Sequence, residues 1–311
     1  VCIGNDGILE LTVSYDGTWH KRGHTSNYGL GVAIDKLAGL VVDYHVLSRY
    51  CGVCEQKKKT MNVTSDDFKT WYNGHKPDCE CNFTGSANIM EVAAAEVIWK
   101  RSLQHKFRYT AMVADGDAKT FSNLQKLSVY GPEVIIEKEE CLNHVAKRLK
   151  TGLKNVVAEW RVKGVTLGGK KHGNLKEDTI VKLSNYYRCA IRKNIPNVQQ
   201  MKSAIFATLY HCMSTDEKPQ HFKCPGGEDS WCFYNRAIAT NIEVPRHDST
   251  SMKTVLSVDV VKKIMPVYQR LASTELLERC TAGKTQNSNE CLHSVIWSKC
   301  PKEVFVSKKK N

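Results

Sequence analysis

Thr12-Val-Ser-Tyr-Asp-Gly-Thr-Trp-His-Lys-Arg-Gly23 begins as a β-strand and ends as a basic, aromatic turn. Residues from Leu9 to Tyr15 alternate apolar and polar with the period of two that a half-buried strand requires. The alternation stops at Asp16-Gly17, a pair that ordinarily makes a turn, so an acid closes the strand just ahead of Trp19, His20, Lys21 and Arg22. Outward from this point, Tyr28 to Ile34 and Leu40 to Leu47 are rich in Val, Ile, Leu and Tyr, and Asp35 to Gly39 is the turn between them. Three strands in an antiparallel meander are predicted. The Lys-rich, Cys-containing segment 48–85 breaks the pattern. After it the sequence predicts a helix over 88–104, with Met90, Ala94, Val97 and Ile98 on one face, and a strand over 107–114 that ends in Asp115-Gly-Asp117. A helix over 119–127, a short strand over 133–136 and a helix over 141–155 follow, an order that makes the chain mixed α/β. From Val156 to Cys280 the period is mainly helical, and Asn289 is expected to cap a short helix running to Trp297.

The length of 311 residues fits two domains or one domain with a long insertion. Lys and Arg exceed Asp and Glu by 45 − 32 = 13, a balance suited to a polyanionic partner such as nucleic acid. No apolar run is long enough to span a bilayer, and no membrane partner is expected. The Val at the start and Lys308-Lys-Lys310 near the end raise the expectation of further modules outside the sequence. Thirteen cysteines, an odd number with histidines close by, favour metal ligation over a disulfide framework. Asn62-Val-Thr64 and Asn82-Phe-Thr84 are glycosylation-type triplets, but the N-terminus lacks the pattern of a signal segment, so a secreted, disulfide-bonded binding protein is the weaker class.

Asp16, Asp115 and Asp117 all stand where strands end. If the first and fourth strands are neighbours, these carboxylates approach one another, and like charges that close call for a hard divalent cation, Mg²⁺ by default. Taken singly, each Asp-Gly pair also reads as an ordinary turn. Glu290 reads equally as a first-turn acid that complements the helix dipole, and Glu91 as part of a solvated helix face. Cys51-Gly-Val-Cys54 with His75 and Cys79 has the paired spacing of a structural zinc site, with Cys81 competing as fourth ligand. His221, Cys224 and Cys232 could supply three ligands of a second zinc site, with His211 or Cys212 as the fourth. Cys141 and His144 share a helix face and either bind metal or pack. Gly164 to Lys171 imitates a phosphate-binding loop, but Lys171 stands where Ser or Thr is needed.

Four motifs in order carry a family resemblance: Ser14-Tyr-Asp-Gly-Thr-Trp19, Val113-Ala-Asp-Gly-Asp-Ala-Lys-Thr-Phe121, Glu140-Cys-Leu-Asn-His144 and Thr285-Gln-Asn-Ser-Asn-Glu290. Together with a helical insert before the last, this pattern resembles Mutator-like transposases, particularly the animal branch. The resemblance implies an RNase H-like core, residues 1–155, with a zinc-binding insertion at 48–85, a helical insertion at 156–280, and a segment 281–311 that brings in the last acid. It implies a triad of Asp16, then Asp115 or Asp117, then Glu290, with Glu91 as a further candidate because RNase H enzymes use a helix Glu near that place. Mg²⁺ or Mn²⁺ would serve catalysis and Zn²⁺ structure. The expected activity is nicking and strand transfer of DNA, acting on transposon ends and target in the nucleus, as a homo-oligomer. The sequence departs from the family after Glu290, where Cys291-Leu-His293 replaces the usual Ser-Phe-Asn. That departure keeps in view a domesticated or decayed copy that binds DNA or protein without cutting.

Overall fold

The computed structural model describes residues 2–3, 6–21, 26–114, 118–248 and 251–301. Arg22, Asp115, Asp117 and the terminal lysines lie outside them. The chain forms two compact units, 1–138 with 285–311, and 139–284. The first thus ends ahead of the helix that the sequence reading attaches to the core, and the chain returns to it at Thr285.

The first unit is built on a mixed sheet. Its strands are β1 (Cys2–Ile3), β2 (Leu9–Trp19), β3 (Tyr28–Asp35), β4 (Val41–Ser48), β5 (Phe107–Ala114) and β6 (Glu137–Glu140), in the order β4-β3-β2-β5-β6, with β1 paired to the start of β2. β2, β3 and β4 form the expected antiparallel meander, and the Asp35 side chain closes its second turn by accepting from the Ala38 N–H at 2.5 Å. β2 and β5 are parallel neighbours, with Ser14 level with Val113.

Two strand boundaries differ from the sequence reading. Asp16 does not close β2: the ladder runs on to Trp19, pairing Asp16 with Val32, Gly17 with Gly31 and Trp19 with Gly29. Asp-Gly reads as a turn only until the partner strand is known, and here β3 offers a continuous edge for it. The last strand is Glu137–Glu140, not 133–136. The apolar Val134-Ile-Ile136 has the better strand composition, yet the acidic run makes the sheet bonds, as charged residues commonly do on an edge strand.

One face of the sheet packs against helix α3 (Met90–Ser102), which lies between β4 and β5 in sequence after two shorter helices, α1 (Gly52–Thr60) and α2 (Asp66–His75). The core there joins Leu11, Val13, Tyr15, Ala95, Ile98, Trp99, Tyr109 and Met112. Trp99 meets Tyr15 and Tyr109 edge-on at 5.4 and 5.2 Å between ring centres, the arrangement that aromatic quadrupoles favour. The helix approaches so closely that β3 needs a glycine: a Cβ on Gly31 would stand 2.7 Å from the Ala94 Cβ and 2.5 Å from the Tyr15 hydroxyl. Helix α4 (Ala118–Leu127) adds Leu124 to the same core.

The second unit is helical. It contains α5 (Leu142–Val162), α6 (Glu177–Lys193), α7 (Val198–His211), α8 (Phe233–Ala239), α9 (Val258–Leu271) and α10 (Thr274–Glu278). Leu149, Leu153, Leu183, Tyr187, Ile205 and Ile264 meet in its own core. Asn197 and Ser257 cap α7 and α9 by accepting from the N–H groups of Gln200 and Val260. Glu140 is almost fully buried, and its carboxylate is met by Arg148 and Arg279, which supply the countercharge that burial of an ion demands.

Candidate functional site

Strand alternation sends Tyr15 and Gly17 toward α3, and Ser14, Asp16 and Thr18 to the opposite face. Helix α11 (Asn287–Lys299) of the first unit lies on that opposite face. Two fully buried amides fix its start. Gln286 donates through Nε2 to the carbonyls of Tyr15 (2.8 Å) and Val113 (3.4 Å), and Asn289 donates through Nδ2 to those of Ser14 and Val32, both at 3.3 Å. The pair therefore grips three adjacent strands. Asn289 is an anchor inside the helix and not the cap that the sequence suggests. Further along, Trp297 donates to the Thr18 hydroxyl at 2.8 Å.

This docking brings His293 to Asp16, with Nδ1 3.5 Å from Oδ2. Glu290 stands one turn earlier on the same helix, exposed, and side chains three residues apart share a helix face. Glu91 approaches from the α3 side. Its carbonyl accepts from the Tyr15 hydroxyl at 2.6 Å, and its side chain covers Gly17, where a Cβ would fall 2.8 Å from the Glu91 Cγ. Trp19 donates to the Ala87 carbonyl at 3.1 Å and packs beside Met90. His20 sits between the rings of Tyr28 and Trp297.

The first Cys/His set gathers Cys51, Cys54, His75 and Cys79, with all ligand atoms within 4.8 Å of one another. Cys51 Sγ is 3.3 Å from His75 Nε2, and Cys54 Sγ is 3.5 Å from Cys79 Sγ. Zinc with Zn–N of about 2.0–2.1 Å and Zn–S of about 2.3 Å, at tetrahedral angles, sets edges of about 3.4 Å (N···N), 3.6 Å (N···S) and 3.8 Å (S···S). The atoms stand close to those spacings, and the sulfurs are too far apart for a disulfide. Cys81 lies outside the set, its thiol 3.6 Å from the Phe83 carbonyl. Burial would raise the Cys51 thiol, but hydrogen bonds from the backbone at Cys54 and Glu80 and from the His75 ring bring it down to about 6. Cys54 goes the other way, pushed up to about 12 by burial and by the neighbouring Cys79 and Cys51. A divalent ion at the centre would remove this conflict by favouring both thiolates.

The second set is His211, His221, Cys224 and Cys232 in the helical unit. His211 Nδ1 is 3.2 Å from His221 Nδ1 and 3.7 Å from Cys224 Sγ, and His221 Nδ1 is 3.4 Å from Cys232 Sγ. These again are close to the edges of a zinc tetrahedron. The mutual hydrogen bond of the two thiols drives Cys232 down and Cys224 up. Cys212 takes no part; burial pushes its thiol up to about 12. Either set could hold zinc. Cys141 and His144 join neither, and among the described residues no other group of three or more such ligands converges.

The family described as Mutator-like transposase matches residues 2–232, about three quarters of the chain. The chain belongs to the Mutator-like transposase family. No curated protein and no solved structure matches it. The matched stretch of this Mutator-like transposase includes Asp16, Glu91, Asp115, Asp117 and all eight clustered ligands, and stops at Cys232, ahead of α11. Three residues that matter to these sites escape the sequence reading. His293 is visible only as a departure from the family pattern. Ser214 and His247, which touch His221, follow no ligand spacing and are found only by proximity.

Proposed function

We propose that this chain is the catalytic domain of a DNA transposase of the animal Mutator-like branch, cutting and joining phosphodiesters on an RNase H-like core. What supports the core is the order β4-β3-β2-β5-β6, with an antiparallel meander, a parallel β2-β5 pair and helices on the two faces. The observation that carries the catalytic reading is the docking of α11: two buried amides place it so that His293 reaches Asp16, with Glu290 one turn away.

In this reading Asp16, Asp115 and Glu290 hold Mg²⁺ or Mn²⁺. Asp115 follows Ala114, the last residue of β5, and β5 is the direct neighbour of the strand bearing Asp16. Asp117 is the rival second acid. Glu91 stays a further candidate acid by family likeness alone, since its side chain covers Gly17 on the α3 face, opposite the face that carries Asp16. Divalent ions held there would activate a water or the 3′-hydroxyl of a DNA end and offset the charge on the leaving oxygen. The protein's share would be to hold the donors in place: His293 orients the Asp16 carboxylate, and Gln286 and Asn289 keep α11 from sliding. The positive balance of 13 charges suits DNA, both transposon ends and target; the nuclear setting and the homo-oligomeric assembly are proposed from family likeness alone.

The test is Mg²⁺-dependent nicking of duplex DNA by the native chain and by Asp16→Asn. The native chain should cut, and the variant should lose at least about 10²-fold of the rate, the scale of one removed transition-state contact. No cutting by either would point to a decayed, binding-only copy, and equal cutting by both would remove Asp16 from the catalytic centre.

A further inference from the structure

The second Cys/His set continues beyond its four ligands. Ser214 Oγ lies 2.9 Å from His221 Nε2 and 2.8 Å from His247 Nε2, and the two ring nitrogens are 2.8 Å apart. The other nitrogen of His247, Nδ1, is 2.7 Å from Asp216 Oδ1, and the same carboxylate oxygen accepts from the His247 backbone N–H at 2.9 Å. Arg246 Nε stands 3.4 Å from Oδ2 of Asp216. Ser214 is 2 % exposed, His221 4 %, and the His247 side chain 4 %, so water is not available to satisfy these atoms. Three buried polar side chains strung between a ligand set and a surface carboxylate would be costly to bury without a complete bonding scheme.

We infer that Ser214, His247 and Asp216 form a directed relay that fixes His221 as an Nδ1 ligand of zinc. One arrangement of protons satisfies every atom. His221 Nδ1 faces His211, Cys224 and Cys232 and keeps its lone pair for the ion, so its proton is on Nε2. That Nε2–H donates to Ser214 Oγ, which also accepts from the Gln220 N–H at 2.8 Å. The Ser214 hydroxyl then donates to His247 Nε2, and His247 Nδ1–H donates to Asp216. Every step points the same way, ending on a negative charge, so each bond polarises the one before it and makes the His221 lone pair a stronger donor. The charge count agrees: two thiolates and two neutral imidazoles cancel Zn²⁺ inside, while the remaining carboxylate charge lies at the half-exposed end beside Arg246. Tyr234 stacks on His221 at 4.4 Å between ring centres and holds the ring plane. Ser214, His247 and Asp216 are therefore positioning residues, acting on the metal through His221.

The zinc-loaded full chain tests this, with the Cys51 set as internal reference. Competition with a chelator should release one of the two zinc ions about 10–100-fold more readily from Ser214→Ala and from Asp216→Asn, leave the other unchanged, and show native affinity for Ser214→Thr, which keeps the hydroxyl. Asp216 is partly exposed, so Asp216→Asn tests the chain of bonds even if Ser214→Ala does not fold. Long-range proton–nitrogen NMR should show His221 metal-bound at Nδ1 and protonated at Nε2, with His247 protonated at Nδ1. Unchanged release from both variants, His221 bound through Nε2, or a native chain that takes no zinc at this set would each overturn the relay.

Discussion

Asp16 sits in the middle of a strand, and that position gives it a fixed direction that a turn would not. Its neighbours Tyr15 and Gly17 belong to the α3 face, and the two-residue period commits Asp16 to the α11 face with Ser14 and Thr18. The residue on which this depends most is Asn289, whose amide spans the backbones of β2 and β3. Asn289→Ala removes both donations from a fully buried position and should lower the unfolding free energy by about 1–2 kcal/mol, read from urea denaturation midpoints. It should also weaken nicking, because Glu290 follows it directly. A variant as stable and active as the native chain would show that the amide does not hold α11.

At the scale of elements, the meander, α3 and β5 are legible because their patterns are long and alternate cleanly. The Phe107–Ala114 strand falls where its apolar run lies. What escapes is decided by partners remote in sequence. Asp16-Gly17 extends a strand because β3 pairs with it, and Glu137–Glu140 is a strand because a sheet edge accepts charge. The Cys51 and His211 sets are legible because their Cys and His residues fall at the paired spacings of a metal site, whereas Ser214 and His247 follow no such spacing. The 51–79 segment is the clearest case of an element that sequence alone cannot fold: α1 buries only Cys54 and α2 only Phe68. Metal ligation by Cys51, Cys54, His75 and Cys79 would supply what the small core does not. Stripping zinc with a chelator should therefore open new protease cuts within 52–78 while the strands β2 to β4 stay resistant. No new cleavage there after metal removal would mean that the two helices hold themselves.

For the whole molecule, the decisive feature is an excursion: the chain leaves the sheet unit at Lys138, builds a separate helical unit with its own core and ligand set, and returns at Thr285. The proposed last acid, Glu290, thus lies more than 270 residues beyond Asp16, and no local pattern joins them. The pairing of Asp16 with Glu290 is the proposal; the structure shows α11 held beside β2 by two buried amides, with His293 at Asp16. Crystals of the chain soaked in Mn²⁺ and measured at the manganese edge test this most directly. The account predicts an anomalous peak within about 2.5 Å of an Asp16 carboxylate oxygen with Glu290 on the same ion or on one adjacent to it, at the bond lengths of hard cations to oxygen. A structure with no peak at Asp16, or with the Glu290 carboxylate turned away from it, would contradict the account.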